Sequence, residues 1–192
     1  GYYKNDFLGS DDNNGRDELT IRSKFSVDVT ETWGINLMLS HVDIDNGYDA
    51  FTLDNSRSTL SDEPGHDRQE SDSLALESTW RLNKFDLELT LGLARSDIEY
   101  GYDEDWSFVG IHPFGYSSTD NYLRDRNTES LEVRMISNDQ SKLFSGSTDW
   151  LVGIYALSSS EDLTRIYTFA ASDFSSQYAF DTLAVFFQLD TH

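Results

Sequence analysis

Carboxylates and aromatic rings crowd two stretches of this chain, and these are the residues with chemistry to offer. Between Asp45 and Glu70 stand seven acids (Asp45, Asp49, Asp54, Asp62, Glu63, Asp67 and Glu70) and two bases, Arg57 and Arg68. The stretch from Asp97 to Asn127 holds Asp103, Glu104, Asp105, Trp106, His112, Tyr116 and Tyr122. Long loops with such groups suit capture of a small ligand by aromatic stacking and polar contact. The residues singled out for that role are Tyr48, Asp49, Phe51, Arg57, Trp106, His112 and Tyr116. The plainer alternative is a solvated acidic loop that meets only surface cations or itself. Trp106 stands out, because it is the one tryptophan away from a strand end and it follows Asp103, Glu104 and Asp105. A ring stacked there would bury roughly 100 Å² of ligand, worth about 2–3 kcal/mol, and the carboxylates favour a neutral or metal-complexed ligand.

Resident metal and catalytic chemistry find less support. Asp43-Ile-Asp45-Asn-Gly47 begins like a calcium loop, but Tyr48 and Asp54 occupy the positions where an EF-hand needs glycine and glutamate. His41, His66, His112 and His192 lack zinc-ligand spacing. Acid pairs abound, yet a glycosidase needs two carboxylates at a set separation across a cleft. No nucleophile elbow or phosphate loop is present. The expectation is a non-enzyme without a cofactor or metal.

Composition narrows the partners. The 192 residues carry 35 acidic and 14 basic side chains, a net charge of -21, which repels nucleic acid. Cysteine is absent, so there is no disulfide framework and no thiolate metal site. No run of about 18 apolar residues exists to form a membrane helix. Aromatic residues make up 14% of the chain and are strongly patterned, so acidity here does not mean disorder.

The elements that must position these groups read as β-strands. Leu74, Leu76, Ser78, Trp80 and Leu82 share one parity; after Asn83-Lys84, Phe85, Leu87, Leu89, Leu91 and Leu93 share the same face across a two-residue turn. The opposite parity carries Glu77, Arg81, Asp86 and Glu88. A first hairpin sets Leu19, Ile21, Phe25 and Val27 beside Trp33, Ile35, Leu37 and Leu39, with a short turn near Val29-Thr30-Glu31. Further strands hold Leu131, Val133 and Met135, then Trp150 to Leu157, then Leu183, Val185, Phe187 and Leu189. The strand Trp150 to Leu157 is apolar on both faces, which leaves its orientation open. About seven strands of roughly 9–13 residues result, nearer the length of tilted membrane strands than of ordinary sheets. Long polar segments at 45–70, 97–127 and 158–177 alternate with short links. Trp33, Trp80 and Trp150 all stand at the short-turn end, a level that suits a lipid–water interface as well as three core positions of a sandwich.

Asp45-Asn-Gly-Tyr-Asp-Ala-Phe-Thr-Leu-Asp-Asn-Ser-Arg57 with Ser61-Asp-Glu-Pro-Gly-His-Asp-Arg-Gln69 resembles the barrel region of TonB-dependent outer-membrane receptors of Gram-negative bacteria. Asn5-Asp-Phe-Leu-Gly9, Asp11 to Asp17, Tyr102 to Trp106, Tyr122 to Arg126, Trp150 to Tyr155 and Ala184 to Gln188 are similar to the same barrel. The resemblance implies an all-β, antiparallel up-and-down meander, one segment of a large transmembrane β-barrel. Its partners would be outer-membrane lipid, a plug domain and the remaining strands of the same receptor. An inner-membrane TonB energy-coupling complex and a small-molecule nutrient (an iron chelate, cobalamin or an oligosaccharide) would complete the set. The long segments would lie outside the cell and the short turns in the periplasm. A plugged barrel of this kind has about 22 strands, so seven cannot close it. With no plug domain or coupling box visible, residues 1–192 read as a barrel fragment. Glu18, Arg22, Lys24, Glu132 and Arg134 would then line the lumen; on a soluble sheet they would face solvent. The alternative from another class is a secreted acidic β-sandwich that binds carbohydrate.

Overall fold

The computed structural model describes residues 3–49, 51–111 and 113–192. Nine strands follow in chain order: β1 (Lys4–Asn5), β2 (Glu18–Thr30), β3 (Trp33–Tyr48), β4 (Ser58–Thr59), β5 (Gly65–Arg81), β6 (Phe85–Asp103), β7 (Thr119–Ser137), β8 (Thr148–Tyr167) and β9 (Phe174–Thr191). The large sheet is an antiparallel meander of seven strands in the order β2-β3-β5-β6-β7-β8-β9. β1 and β4 form a separate parallel pair. No closed barrel forms; β2 and β9 are the two free edges of the sheet.

The turns follow local chemistry. Leu82 N–H donates to Phe85 O at 3.0 Å, so Asn83-Lys84 is the two-residue turn its sequence predicts. The first hairpin turns one residue later than Val29-Thr30-Glu31. The register shifts between Asp28 and Thr30, and Thr30 pairs with Trp33 across Glu31-Thr32. Thr30 Oγ1 accepts the Thr32 N–H at 3.2 Å, which holds the tighter turn. The link from β7 to β8 contains a 3₁₀ turn at Phe144–Gly146. Trp150 Nε1 donates to Ser141 O at 2.8 Å and pins that link to the sheet.

The seven large strands are 13 to 20 residues long, well beyond the 9–13 expected from alternation. The segments 45–70, 97–127 and 158–177 are therefore strand over much of their length, and the true connections are 49–64, 104–118 and 168–173. The reason is that the alternation fades while the ladder continues. Past the apolar rows both faces of the sheet are polar, so period-two hydrophobicity disappears although the hydrogen bonds do not. Side-chain pairs across strands stand in for it. Arg68 Nε donates to Asp45 Oδ1 at 2.6 Å, Arg95 Nη2 reaches Asp125 Oδ2 at 3.2 Å, and Arg126 pairs with Glu161. The Asp45–Arg68 pair also places the calcium-loop-like run 43–47 inside β3, where it cannot wrap an ion.

Register carries the apolar parity unbroken across the sheet. Phe25, Leu37, Leu76, Leu91, Leu131, Ala156 and Leu183 form one continuous row over all seven strands. The next row toward the short turns is Val27, Ile35, Ser78, Leu89, Val133, Ile154 and Val185. Ser78 is the polar exception, and its hydroxyl accepts from Trp33 Nε1 at 2.9 Å. Trp33 stacks on its direct partner Trp80 at 5.9 Å, and Trp150 shares their face. Toward the long connections the same face turns acidic: Asp43, Glu70, Asp97, Asp125 and Asp162 stand side by side. His41, in the row between, donates from Nδ1 to Asp72 Oδ1 at 2.8 Å.

The structure settles the orientation of Trp150 to Leu157. Trp150, Val152, Ile154 and Ala156 lie on the apolar face, and Leu151, Gly153, Tyr155 and Leu157 on the polar one. Gly153 makes room there for the ring of Phe186, its partner on β9, which lies across it where a Cβ would stand.

No large hydrophobic side chain is buried among the described residues. Leu183, Val185 and Phe187 are 76, 73 and 79% exposed, and no second layer covers the apolar face. The buried side chains are polar, and most sit at the long-connection end: Asn5, Asp49, Thr59, Ser61, Asp103, Ser107, Ser118 and Asp120. No helix of the described residues is long and apolar enough to cross a membrane. Gly153→Ala should overpack Phe186 and destabilise the chain by about 1–3 kcal/mol. Adding Phe186→Leu should recover part of that loss in urea titrations. Equal stability of Gly153→Ala and the parent would show that the ring swings aside freely.

Candidate aromatic binding site

Beyond the apolar rows, the polar face of the sheet becomes tyrosine-rich. Tyr100 of β6 is directly paired with Tyr122 of β7, which is paired with Arg165 of β8. One row further out, Tyr102, Asp120 and Tyr167 align in the same way. Tyr48, at the end of β3, packs on Tyr100 at 5.2 Å. Its partner on β5 is Gly65, where a side chain would strike the carbonyl of Gly101, so β5 leaves space between the tyrosines.

Two connections close over this floor. Phe51 stacks on Trp106 at 5.0 Å and 13°, and meets the edges of Tyr48 at 5.9 Å and Tyr102 at 6.2 Å. Phe51, Tyr100, Tyr102, Trp106, Tyr122 and Arg124 line a concavity of about 650 Å³ together with Ile98 and Glu104. Trp106 remains 38% exposed, so part of its ring is free for a ligand. Its backbone is held in the left-handed region at φ 58 by Asp103, whose Oδ1 accepts the Trp106 N–H at 3.0 Å and the Asp105 N–H at 3.1 Å.

One ion pair organises the floor. Arg165 donates to Asp120 Oδ1 from Nε at 2.8 Å and to Oδ2 from Nη2 at 2.6 Å. The Tyr102 and Tyr122 hydroxyls donate to the same Oδ2 at 3.3 and 3.1 Å. The guanidinium also lies over the rings of Tyr122 and Tyr167, at 5.4 and 5.2 Å. Arg165 holds the Asp120 carboxyl below its ordinary range, and the Tyr hydroxyls add to this. Burial pushes the Tyr100, Tyr102 and Tyr122 phenols up, so they stay protonated hydrogen-bond donors at neutral pH. Burial also pushes the Asp103 carboxyl up to about 7, with Asp105 beside it adding to the rise.

Of the residues expected to bind ligand, Tyr48, Phe51 and Trp106 come together here. Asp49 does not offer itself to a ligand. It is buried, and its Oδ2 accepts from Thr59 Oγ1 at 2.6 Å, Asn5 Nδ2 at 3.1 Å and Asn13 Nδ2 at 3.3 Å. It clamps the N-terminal segment to the connection before β5. Arg57 lies beside that clamp, its carbonyl accepting the Lys4 N–H at 3.0 Å, and it does not line the concavity. Tyr116 sits apart on the edge of Phe169 at 5.2 Å. His112 lies outside the described residues. Tyr100, Tyr167, Asp120 and Arg165 were missed as site residues because their segments read as loop. A weak signal was present: Tyr100 with Tyr102, Asp120 with Tyr122, and Arg165 with Tyr167 each recur at period two.

No family model, curated protein or solved structure matches the chain.

The Asp120–Arg165 pair makes the site acid-sensitive. A carboxyl with a lowered pKa adds stability above its ordinary value near 4, and that stability fades as pH falls through the lowered one. Asp120→Asn should lose the contribution already at neutral pH. Protease cleavage within 104–118 should then be about tenfold faster, the size of one charge-assisted hydrogen bond. It should also lose its rise below pH 4. An unchanged acid profile in the variant would assign that rise to other carboxylates.

Proposed function

We propose that this chain is part of the wall of a TonB-dependent receptor of the bacterial outer membrane, and that its aromatic concavity captures a scarce nutrient. One observation carries the reading: an apolar band that spans seven strands and has nothing against it. From Phe85 to Leu93 the band rises about 27 Å along β6 at roughly 3.4 Å per residue, or about 21 Å at a tilt near 40°. That is close to the lipid-facing belt of an outer-membrane barrel, about 25 Å tall. The tryptophans at its lower rim and the carboxylates above it suit the two interfaces. The alternative, a secreted carbohydrate-binding sandwich, needs a second sheet on this face, and the described residues supply none.

In this reading lipid takes the apolar face, and further strands of the receptor pair with the free edges of β2 and β9. A plug domain and water meet Arg134, Glu88 and Glu132, which form a charge cluster at 2.8 and 3.1 Å on the polar face. The inner-membrane TonB complex acts through the plug. The role is binding and import rather than catalysis. Stacked rings, neutral phenols and the acids nearby suit a ligand with a flat or sugar-like face that is neutral or carries a bound cation.

Two substitutions on adjacent residues test the membrane reading. Leu89→Arg places a cation in mid-bilayer and should cost about 2–4 kcal/mol of folding in lipid vesicles. Glu88→Gln loses one ion pair on the polar face, worth about 0.2–1 kcal/mol. Equal folding yields for the two would refute a lipid-facing band. The capture role is tested by Trp106→Ala at matched surface expression. Loss of the exposed ring should weaken nutrient binding by about 2–3 kcal/mol. Unchanged binding would reduce Trp106 to the partner of Phe51.

A further inference from the structure

The connections above the concavity meet at three carboxylates drawn from two distant parts of the chain. One carboxylate oxygen from each of Asp62, Asp103 and Asp105 lies within 4.8 Å of the other two. Asp62 belongs to the connection before β5; Asp103 ends β6 and Asp105 follows it. Three acids at this separation repel one another unless a proton or a cation lies between them. No arginine or lysine forms an ion pair with any of the three among the described residues.

A second observation points into the same spot. Asp103 is only 6% exposed, and while its Oδ1 is taken by two backbone N–H groups, its Oδ2 is buried without a hydrogen-bond partner. The Ser61 hydroxyl, 1% exposed, is likewise buried without one. It stands close enough to the Asp103 carboxylate to favour its charged form, though short of hydrogen-bond geometry. Buried oxygens left unsatisfied are costly, and two of them at one acidic spot call for a cation. The remaining oxygens are already oriented. Asp105 accepts from Ser118 N–H at 2.9 Å and from Ser107 Oγ at 2.8 Å, and Asp62 Oδ1 accepts from Ser117 Oγ at 3.3 Å.

We propose that Asp62, Asp103 and Asp105, with the Ser61 hydroxyl, form a calcium site that ties the connection before β5 to the end of β6. The donors are all hard oxygens, as calcium prefers. Calcium bonds oxygen at about 2.3–2.6 Å, so oxygens up to roughly 4.8 Å apart can share one ion, whereas magnesium demands closer and octahedral donors. Water completes the shell on the solvent side. The ion acts on the concavity through the chain, since Asp103 also holds the backbone of Trp106. Calcium thereby sets the ring that roofs the site. The inference does not rest on the membrane reading, because all four donors lie outside the apolar band.

Equilibrium dialysis of the full-length protein in detergent with radioactive calcium tests it, with limited proteolysis of 104–118 alongside. The parent should bind calcium with a dissociation constant at or below about 1 mM, and calcium should slow cleavage. Asp62→Asn and Asp103→Asn should each weaken binding at least about tenfold and abolish the protection. Asp43→Asn, which removes one acid from the row nearer the apolar band and two strands away on β3, should leave both unchanged. Asp62 is only half-buried, so its variant keeps the test open if Asp103→Asn fails to fold. Equal affinities for Asp62→Asn and Asp43→Asn would mean a diffuse surface atmosphere and overturn the proposal. So would absence of calcium binding at about 10 mM.

Discussion

An apolar sheet face with no partner among the described residues is the constraint on which everything else here depends. At about 25 cal/mol per Å², leaving such rows in water forfeits the main force that folds a protein. The row Phe25 to Leu183 crosses all seven strands without one polar residue. A face this wide and this uniform demands an apolar medium of matching height. The free edges of β2 and β9 make the parallel demand in hydrogen bonds. The proposed lipid-embedded, larger barrel would meet both demands at once.

The constraint relocates the folded interior. A soluble domain buries its apolar residues; here the buried residues are polar and gather at the long-connection end. Asn5, Asp49 and Thr59 form a closed hydrogen-bond knot that docks the N-terminal segment. Phe7 adds a stack on Phe108 at 4.3 Å, joining that segment to the second connection. Polar groups that satisfy one another in this way specify a single arrangement better than loose apolar contact does. The connections therefore form a built layer, and the aromatic concavity is its floor. Asp120 serves one guanidinium and two phenols, so strands β6, β7 and β8 are locked in register at the level of the site.

Charge is distributed by the same logic. The net charge of -21 is not spread evenly. On the apolar face the continuous run of acids, Asp43, Glu70, Asp97, Asp125 and Asp162, lies beyond the apolar rows, with Arg95 reaching Asp125 at 3.2 Å. Like charges directly opposite in a sheet are destabilising, so the row is tolerable only where water and counterions screen it.

The two-residue period of a strand determined much of this protein without any structure. The pairing of Leu82 with Phe85, the apolar parity from Leu74 to Leu93 and the common level of Trp33, Trp80 and Trp150 are all legible in the sequence, because each strand alternates apolar and polar side chains between its two faces. Legibility ended where the two faces became alike. Beyond Asp43 and Asp97 both sides are polar, so the outer part of six of the seven long strands reads as loop, and with it Tyr100, Asp120 and Arg165. Tyr48, Phe51 and Trp106 were recognisable as aromatic residues in acidic surroundings, but not Asp49, whose role as a clamp depends on Asn5 and Thr59. Only the tertiary structure could bring Ser61 and Asp62 to Asp103 and Asp105, or turn Trp150 rather than Leu151 to the apolar side. Those outcomes depend on which strand lies next to which and in what register, and contacts between residues some forty positions apart leave no local period to read.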